Sequence, residues 1–197
     1  IGSVYNRQGK FAQAETVLEA ALQLHEKALG KDRPQIVSYL KELETASYRQ
    51  RQYAAAKSLA ERILKIDKSK MAQDDPRLAD DMNNLAAACY HLQQYPEAES
   101  LFTQTLEIKQ KHYSPDSEEI GWSLAWLGDL YAAQNKLQQA EQYYKRALPI
   151  LQKNITPGHQ SATDLALRCE RYAAVLRGLN RNSEAKTLEA HAKALRQ

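Results

Sequence analysis

Helix-breaking residues are scarce in this 197-residue sequence, with 7 Gly and 6 Pro. Ala, Leu, Glu, Gln and Lys dominate instead, and these are strong helix formers. The balance argues against a turn-rich β architecture and predicts an all-α chain. Cysteine is nearly absent, with Cys89 and Cys169 alone. Neither belongs to a CxxC pair or has a histidine at ligand spacing, so the common zinc and redox motifs are missing. Each falls among Ala and Leu at helical spacing, as a small buried apolar residue does. No apolar run approaches the roughly 18 residues that a membrane-spanning helix needs, so membrane insertion is not expected. An excess of one charge is missing too. Lys plus Arg number 27 against 24 Asp plus Glu, a formal net charge of +3. The two signs are interleaved rather than gathered into the basic patch of a nucleic-acid binder, and no nucleic-acid partner is expected.

The motifs of catalysis are equally thin. There is no Gly-rich phosphate loop and no HExxH helix, and the five histidines, at 25, 91, 112, 159 and 191, are scattered. The paired carboxylates Asp74-Asp75, Asp80-Asp81 and Glu118-Glu119 are expected at helix starts, where negative charge meets the positive end of the helix dipole. These absences point away from an enzyme, and no cofactor or metal is called for.

What the sequence does contain is a repeat. Phe11, Tyr53, Tyr95 and Leu137 recur at intervals of 42, and so do Ala14, Ala56, Ala98 and Ala140 three residues further on. A fifth copy places Ala185 at 45 from Ala140, with the three extra residues in the turn around Asn154-Ile155-Thr156-Pro157-Gly158. Within a period, Leu124, Leu127, Gly128 and Tyr131 form one helical stripe and Leu137, Ala140, Tyr144, Ala147, Leu148 and Leu151 a second, divided by Gln134-Asn135-Lys136. Gly2, Ala86, Gly128 and Ala173 keep the first helix thin where it meets the second. Glu44 occupies that position in the second copy, and is expected to tilt outward or to mark a looser pair. Proline and acidic residues at Asp32-Arg33-Pro34, Asp74-Asp75-Pro76 and Ser114-Pro115-Asp116-Ser117 suit the first turn of the next helix.

Two such helices cannot bury their stripes alone, so the copies must stack. The expected fold is an all-α, right-handed α-solenoid, a superhelix of antiparallel helix pairs. A single array covers 1–197: a partial first repeat at 1–33, repeats at 34–75, 76–117 and 118–158, and a last repeat with a C-terminal cap at 159–197. In that cap Arg168, Glu170, Arg171, Arg177 and their charged neighbours are expected to form a solvated outer face. The chain opens mid-pattern at Ile1-Gly2-Ser3, as a fragment would. A missing leader therefore says nothing about export, and the cytoplasm is the default compartment.

Asn83-Asn84-Leu85-Ala86, Gly9-Lys10-Phe11-Ala12-Gln13-Ala14-Glu15 and Leu29-Gly30-Lys31-Asp32-Arg33-Pro34 together resemble the tetratricopeptide repeat. The likeness is to its 42-residue version in kinesin light chains and many bacterial proteins. That resemblance implies a protein-binding scaffold whose first helices line a concave groove. On the helical wheel the groove residues are Lys41, Thr45, Tyr48 and Arg49, then Asn83, Asn84 and His91, then Trp122, Trp126 and Asp129, and Arg171. Asn amides can hydrogen-bond any peptide backbone, and Trp, Tyr and Arg are the usual hot-spot anchors. Packing between helices is the competing role for Tyr48, and His91 reads as a polar groove wall. The cations with which chaperone-type members grip a terminal carboxylate are replaced here by Ala125 and Asp129, which disfavours that ligand. A protein or peptide is thus the expected partner. The rivals are a self-assembling homo-oligomer, held through Trp122, Trp126 or the repeat edges, and a regulatory segment of a larger signalling protein.

Overall fold

The turn between paired helices is built on one left-handed residue. In the computed structural model, which describes residues 1–31, 33–154 and 160–196, φ is positive at Gly9, Arg51, Gln93, Asn135 and Asn180. The amide of the next residue donates to the carbonyl five positions back in every case: Lys10 to Tyr5, Gln52 to Ser47, Gln94 to Cys89 and Lys136 to Tyr131, each at 2.9 Å, and Arg181 to Leu176 at 2.8 Å. This six-to-one bond satisfies a carbonyl that the helix end would orphan, and it reverses the chain.

Residues Ile1–Leu101 and Phe102–Gln197 form two compact units. The first holds α1 (Gly2–Arg7), α2 (Phe11–Leu29), a 3₁₀ turn (Pro34–Ile36), α3 (Val37–Arg49), α4 (Tyr53–Lys68) and α5 (Pro76–His91). Helix α6 (Tyr95–His112) carries the boundary, and the second unit continues with α7 (Glu118–Ala133), α8 (Leu137–Asn154), α9 (Gln160–Gly178) and α10 (Asn182–Leu195). Among the described residues all regular structure is helical. In unit 1, α1 packs on α2, α2 on α3, α3 on α4 and α4 on α5, and in unit 2 the same chain of neighbours runs from α7 to α10. Each described break precedes a helix, although Pro115 and Asp116 lie in a turn ahead of α7 rather than in its first turn. Pro34 opens the 3₁₀ turn into α3, Asp75 caps α5 with Pro76 in its first turn, and Ser117 caps α7. Asp32 and the turn at Ile155, Thr156, Pro157 and Gly158 lie outside the described residues.

Each pair closes where a small residue of one helix faces a large one of the other. A Cβ on Gly128 would come within 2.9 Å of the Tyr144 ring, and one on Gly2 would collide with Leu18. Tyr144 is fully buried by this fit. The second copy reverses the sizes. Glu44 stands in the small-residue position, and the register position of Leu18, Phe102 and Tyr144 is there Ala60, itself buried. Glu44 is accordingly buried rather than tilted outward, because a small partner leaves volume for it.

Arg51 and Gln93 adopt the left-handed backbone with a Cβ attached, a conformation that costs an L residue about 1 to 2 kcal/mol. Gln93→Gly is therefore expected to raise stability by about 0.5 kcal/mol or more, after glycine's larger unfolded-state entropy is subtracted. A higher urea midpoint at unchanged m-value is the expected reading.

Candidate binding faces

In unit 1, the first helices of neighbouring pairs are tied together side chain to side chain. Lys41 Nζ of α3 lies 2.6 Å from Asp81 Oδ1 of α5 and 3.6 Å from Asp67 Oδ2 at the end of α4. Asn84 of α5 donates to Glu44 of α3 at 3.1 Å, and Tyr48 of α3 shares a 2.9 Å hydrogen bond with His91 of α5. The His91 ring is stacked on Tyr53, with centroids 4.2 Å apart and planes 6° from parallel. On the solvent side of this seam lie Thr45, whose hydroxyl donates to the Lys41 carbonyl, with Arg49 and Asn84 exposed and Asn83 half-buried.

The seam carries perturbed acids. Burial pushes Glu44 up to about 7, against the pull of the Asn84 amide. Asp81 is raised to about 6, again chiefly by burial and against the Lys41 ammonium. Burial acts to lower the Lys41 value, but Asp81 and Asp67 outweigh it and leave the ammonium more firmly protonated.

In unit 2, the indoles of α7 are half-buried. The Trp122 Nε1 donates to Glu118 Oε1 at 2.8 Å, and the Trp126 ring stacks on Phe102 with centroids 5.4 Å apart. The guanidinium of Arg168, from α9, sits 5.3 Å from the Trp122 centroid and 4.9 Å from that of Trp126. Behind it is Asp129, which is 1% exposed. Its carboxylate accepts from the Tyr144 hydroxyl at 2.6 Å, pairs with Arg171 and lies 3.4 Å from Arg168 Nε. Two half-buried indoles are thus backed by a buried guanidinium, which one buried carboxylate holds in place.

Several placements differ from the sequence reading. Asp129 was expected on the groove wall, but it is interior and its oxygens are taken by Tyr144 and arginine. Arg168, expected on the solvated cap, is 6% exposed, because cation–π contact and Asp129 compensate its burial. Asp81 does not serve the helix dipole: it lies in the body of α5 and answers Lys41. His91 and Tyr48 are engaged in ring packing and their mutual hydrogen bond. Both cysteines are free and buried, and burial raises Cys89 to about 11 and Cys169 to about 12, which keeps both thiols protonated.

The tetratricopeptide repeat family profile matches residues 1–69 and 79–153. The chain belongs to the tetratricopeptide repeat family. No curated protein matches the sequence. Among solved structures, BtubC from P. vanneervenii superposes with a TM-score of 0.79 at 24% identity, covering 99% of this chain and 76% of that one. A Podosopora anserina putative kinesin light chain with nearly identical TPR-like repeats gives 0.75 at 22% identity, over 98% and 90% of the two chains. RapI in its apo form gives 0.80 at 17% identity, over 98% and 67%. At these identities the likeness concerns the fold, which serves in general as a protein-interaction scaffold and is typically non-catalytic. No helix among the described residues is long and apolar enough to cross a membrane.

Removing one partner of a buried ion pair strands the other charge. Asp129→Ala is expected to cost about 3 to 5 kcal/mol, measured as a drop in the urea unfolding free energy followed by tryptophan fluorescence. Arg171→Ala, whose side chain is 30% exposed, should cost clearly less. Equal losses from the two variants would contradict the buried-anchor role of Asp129.

Proposed function

We propose that the chain is a scaffold or adaptor that holds a peptide or protein segment against the first helices of its pairs. In unit 1 the contacting residues are Thr45, Arg49 and Asn84, with Lys41, Asn83, Tyr48 and His91 as their half-buried support. In unit 2 they are Trp122, Trp126 and Arg171, with Asp129 acting through Arg171 and Arg168. The observation that carries this reading is the α7–α9 face: two half-buried indoles backed by the buried Arg168 guanidinium, with the partly exposed Arg171 held by the same Asp129 carboxylate. Rigid aromatic and arginine groups lose little conformational freedom on binding, and they make up most interface hot spots. Family membership supports a protein rather than a small-molecule partner. Two or three such anchors correspond to micromolar affinity, about 8 kcal/mol.

Selection from a random peptide display library, followed by calorimetry on the recovered peptides, tests this. Wild type is expected to return peptides with micromolar dissociation constants. Trp126→Ala, shown folded by circular dichroism, should weaken them at least about tenfold. Recovery of no peptide, or full affinity in the variant, would remove the face from consideration.

A second reading, self-assembly, draws on the apolar edge formed by α1 and α2. There Leu24 is 71% and Val17 36% exposed. Light scattering separates the two readings. A concentration-dependent dimer abolished by Leu24→Glu favours assembly, and a monomer at all concentrations favours the scaffold.

A further inference from the structure

Unit 1 buries three carboxylates against one ammonium. Glu44 of α3, Asp67 of α4 and Asp81 of α5 are 5%, 4% and 4% exposed. Lys41 is the cation between the two aspartates, and its own side chain is 41% exposed. Glu44 accepts from Asn84, a neutral amide. The buried Asp81 Oδ2 accepts no hydrogen bond, and the buried Asp67 Oδ2 has only the Lys41 ammonium near it, at 3.6 Å and beyond hydrogen-bond reach.

Arg77 of α5 feels Asp67 and Asp81 at longer range, but its guanidinium is committed to Asp75 at 2.7 Å. From α1 and α2 the polar contacts to α3 and its C-cap are Asn6 with Glu42, His25 with Tyr39, and Glu15 with Gln50, at other positions along that helix. On α6, Glu97 is paired with Lys57 of α4. An ionised carboxylate in the interior without a matching cation is costly, and retaining the proton is the cheaper state.

We infer that Glu44 and Asp81, packed with Lys41 and Asp67, form a proton-operated lock on the α3–α4–α5 junction, tightened when these two carboxyls hold protons and loosened when they release them. The sign follows from linkage. At Glu44 and Asp81 the folded chain binds more protons than the unfolded chain, whose carboxyls titrate in the ordinary range near pH 4, so stability falls as pH rises. The gain is complete below that ordinary range and is lost through about pH 6 for Asp81 and about pH 7 for Glu44. The lock joins the same helices as the proposed binding face of unit 1, but it is read without any ligand, so it stands or falls independently of that reading.

Thermal unfolding followed by circular dichroism at pH 5.5, 6.5, 7.5 and 8.5, at constant ionic strength, tests it. The wild-type Tm is expected to fall by about 5 °C across this range. Glu44→Gln removes the proton exchange and should flatten the profile, with a Tm above wild type at pH 8.5. Glu44→Ala introduces the residue that the third copy has in this position, Ala86, and should flatten it in the same way even if glutamine packs poorly. A wild-type Tm that is constant or rises with pH would overturn the lock, and so would a wild-type slope retained in both variants. Failure of both variants to fold at every pH would overturn it too, because Glu44 would then be required whatever its protonation.

Discussion

Everything in this fold depends on how closely two helices of a pair can approach. An isolated pair with one apolar stripe each has too little core to be stable. Close approach turns the stripes into interior, and it demands that volumes on the two helices be complementary. Gly128 against Tyr144 is the clearest case, and Gly2 against Leu18 repeats it with different sizes. The second copy shows that the constraint acts on the sum of the two side chains, since a glutamate is admitted where the opposing position shrinks to Ala60. That exchange brings a carboxyl into unit 1 and creates its unusual electrostatics.

Close packing between neighbouring pairs shapes the polar chemistry as well. Contacts across a pair boundary join residues about one period apart: Lys41 with Asp81, Glu44 with Asn84, Lys57 with Glu97, Tyr48 with His91, Asp129 with Arg171, and Glu141 with Arg181. The exposed pairs among these contribute little. The buried ones hold their helices in register, because leaving either member unpartnered is expensive. In unit 2 this cost yields a rigid aromatic and cationic surface anchored on Asp129. In unit 1 it yields a cluster with more acid than base. One architectural rule thus produces a patch suited to recognition in one unit and a titratable seam in the other.

Much of the fold was legible because a period of 42 residues constrains every copy at once. Helix order, the inter-helix turns and the small-residue positions all followed from alignment of the sequence with itself. The left-handed turn residues were harder to see. Gly9 signals that conformation and Asn135 tolerates it, but Arg51 and Gln93 carry no such mark and adopt it because the flanking helices impose it. The candidate faces were legible as helical stripes, which locate a side chain on a helix but do not say how deep it lies. Asp129 and Arg168 were misplaced for that reason, although opposite charges one period apart, such as Asp129 and Arg171, were a signal available to be read.

The sequence by itself determined the helix pairs, their repeat and the family, since these depend on local propensity and on a periodicity that any stretch of the chain displays. Only the tertiary structure decided which polar residues are interior. Burial is set by the neighbouring helix, and that neighbour is brought alongside by packing rather than by proximity in sequence. Glu44 and Arg168 look like surface residues in the chain, and each becomes interior because of a neighbouring helix: the small Ala60 leaves volume for Glu44, and Asp129, about forty residues away, compensates Arg168.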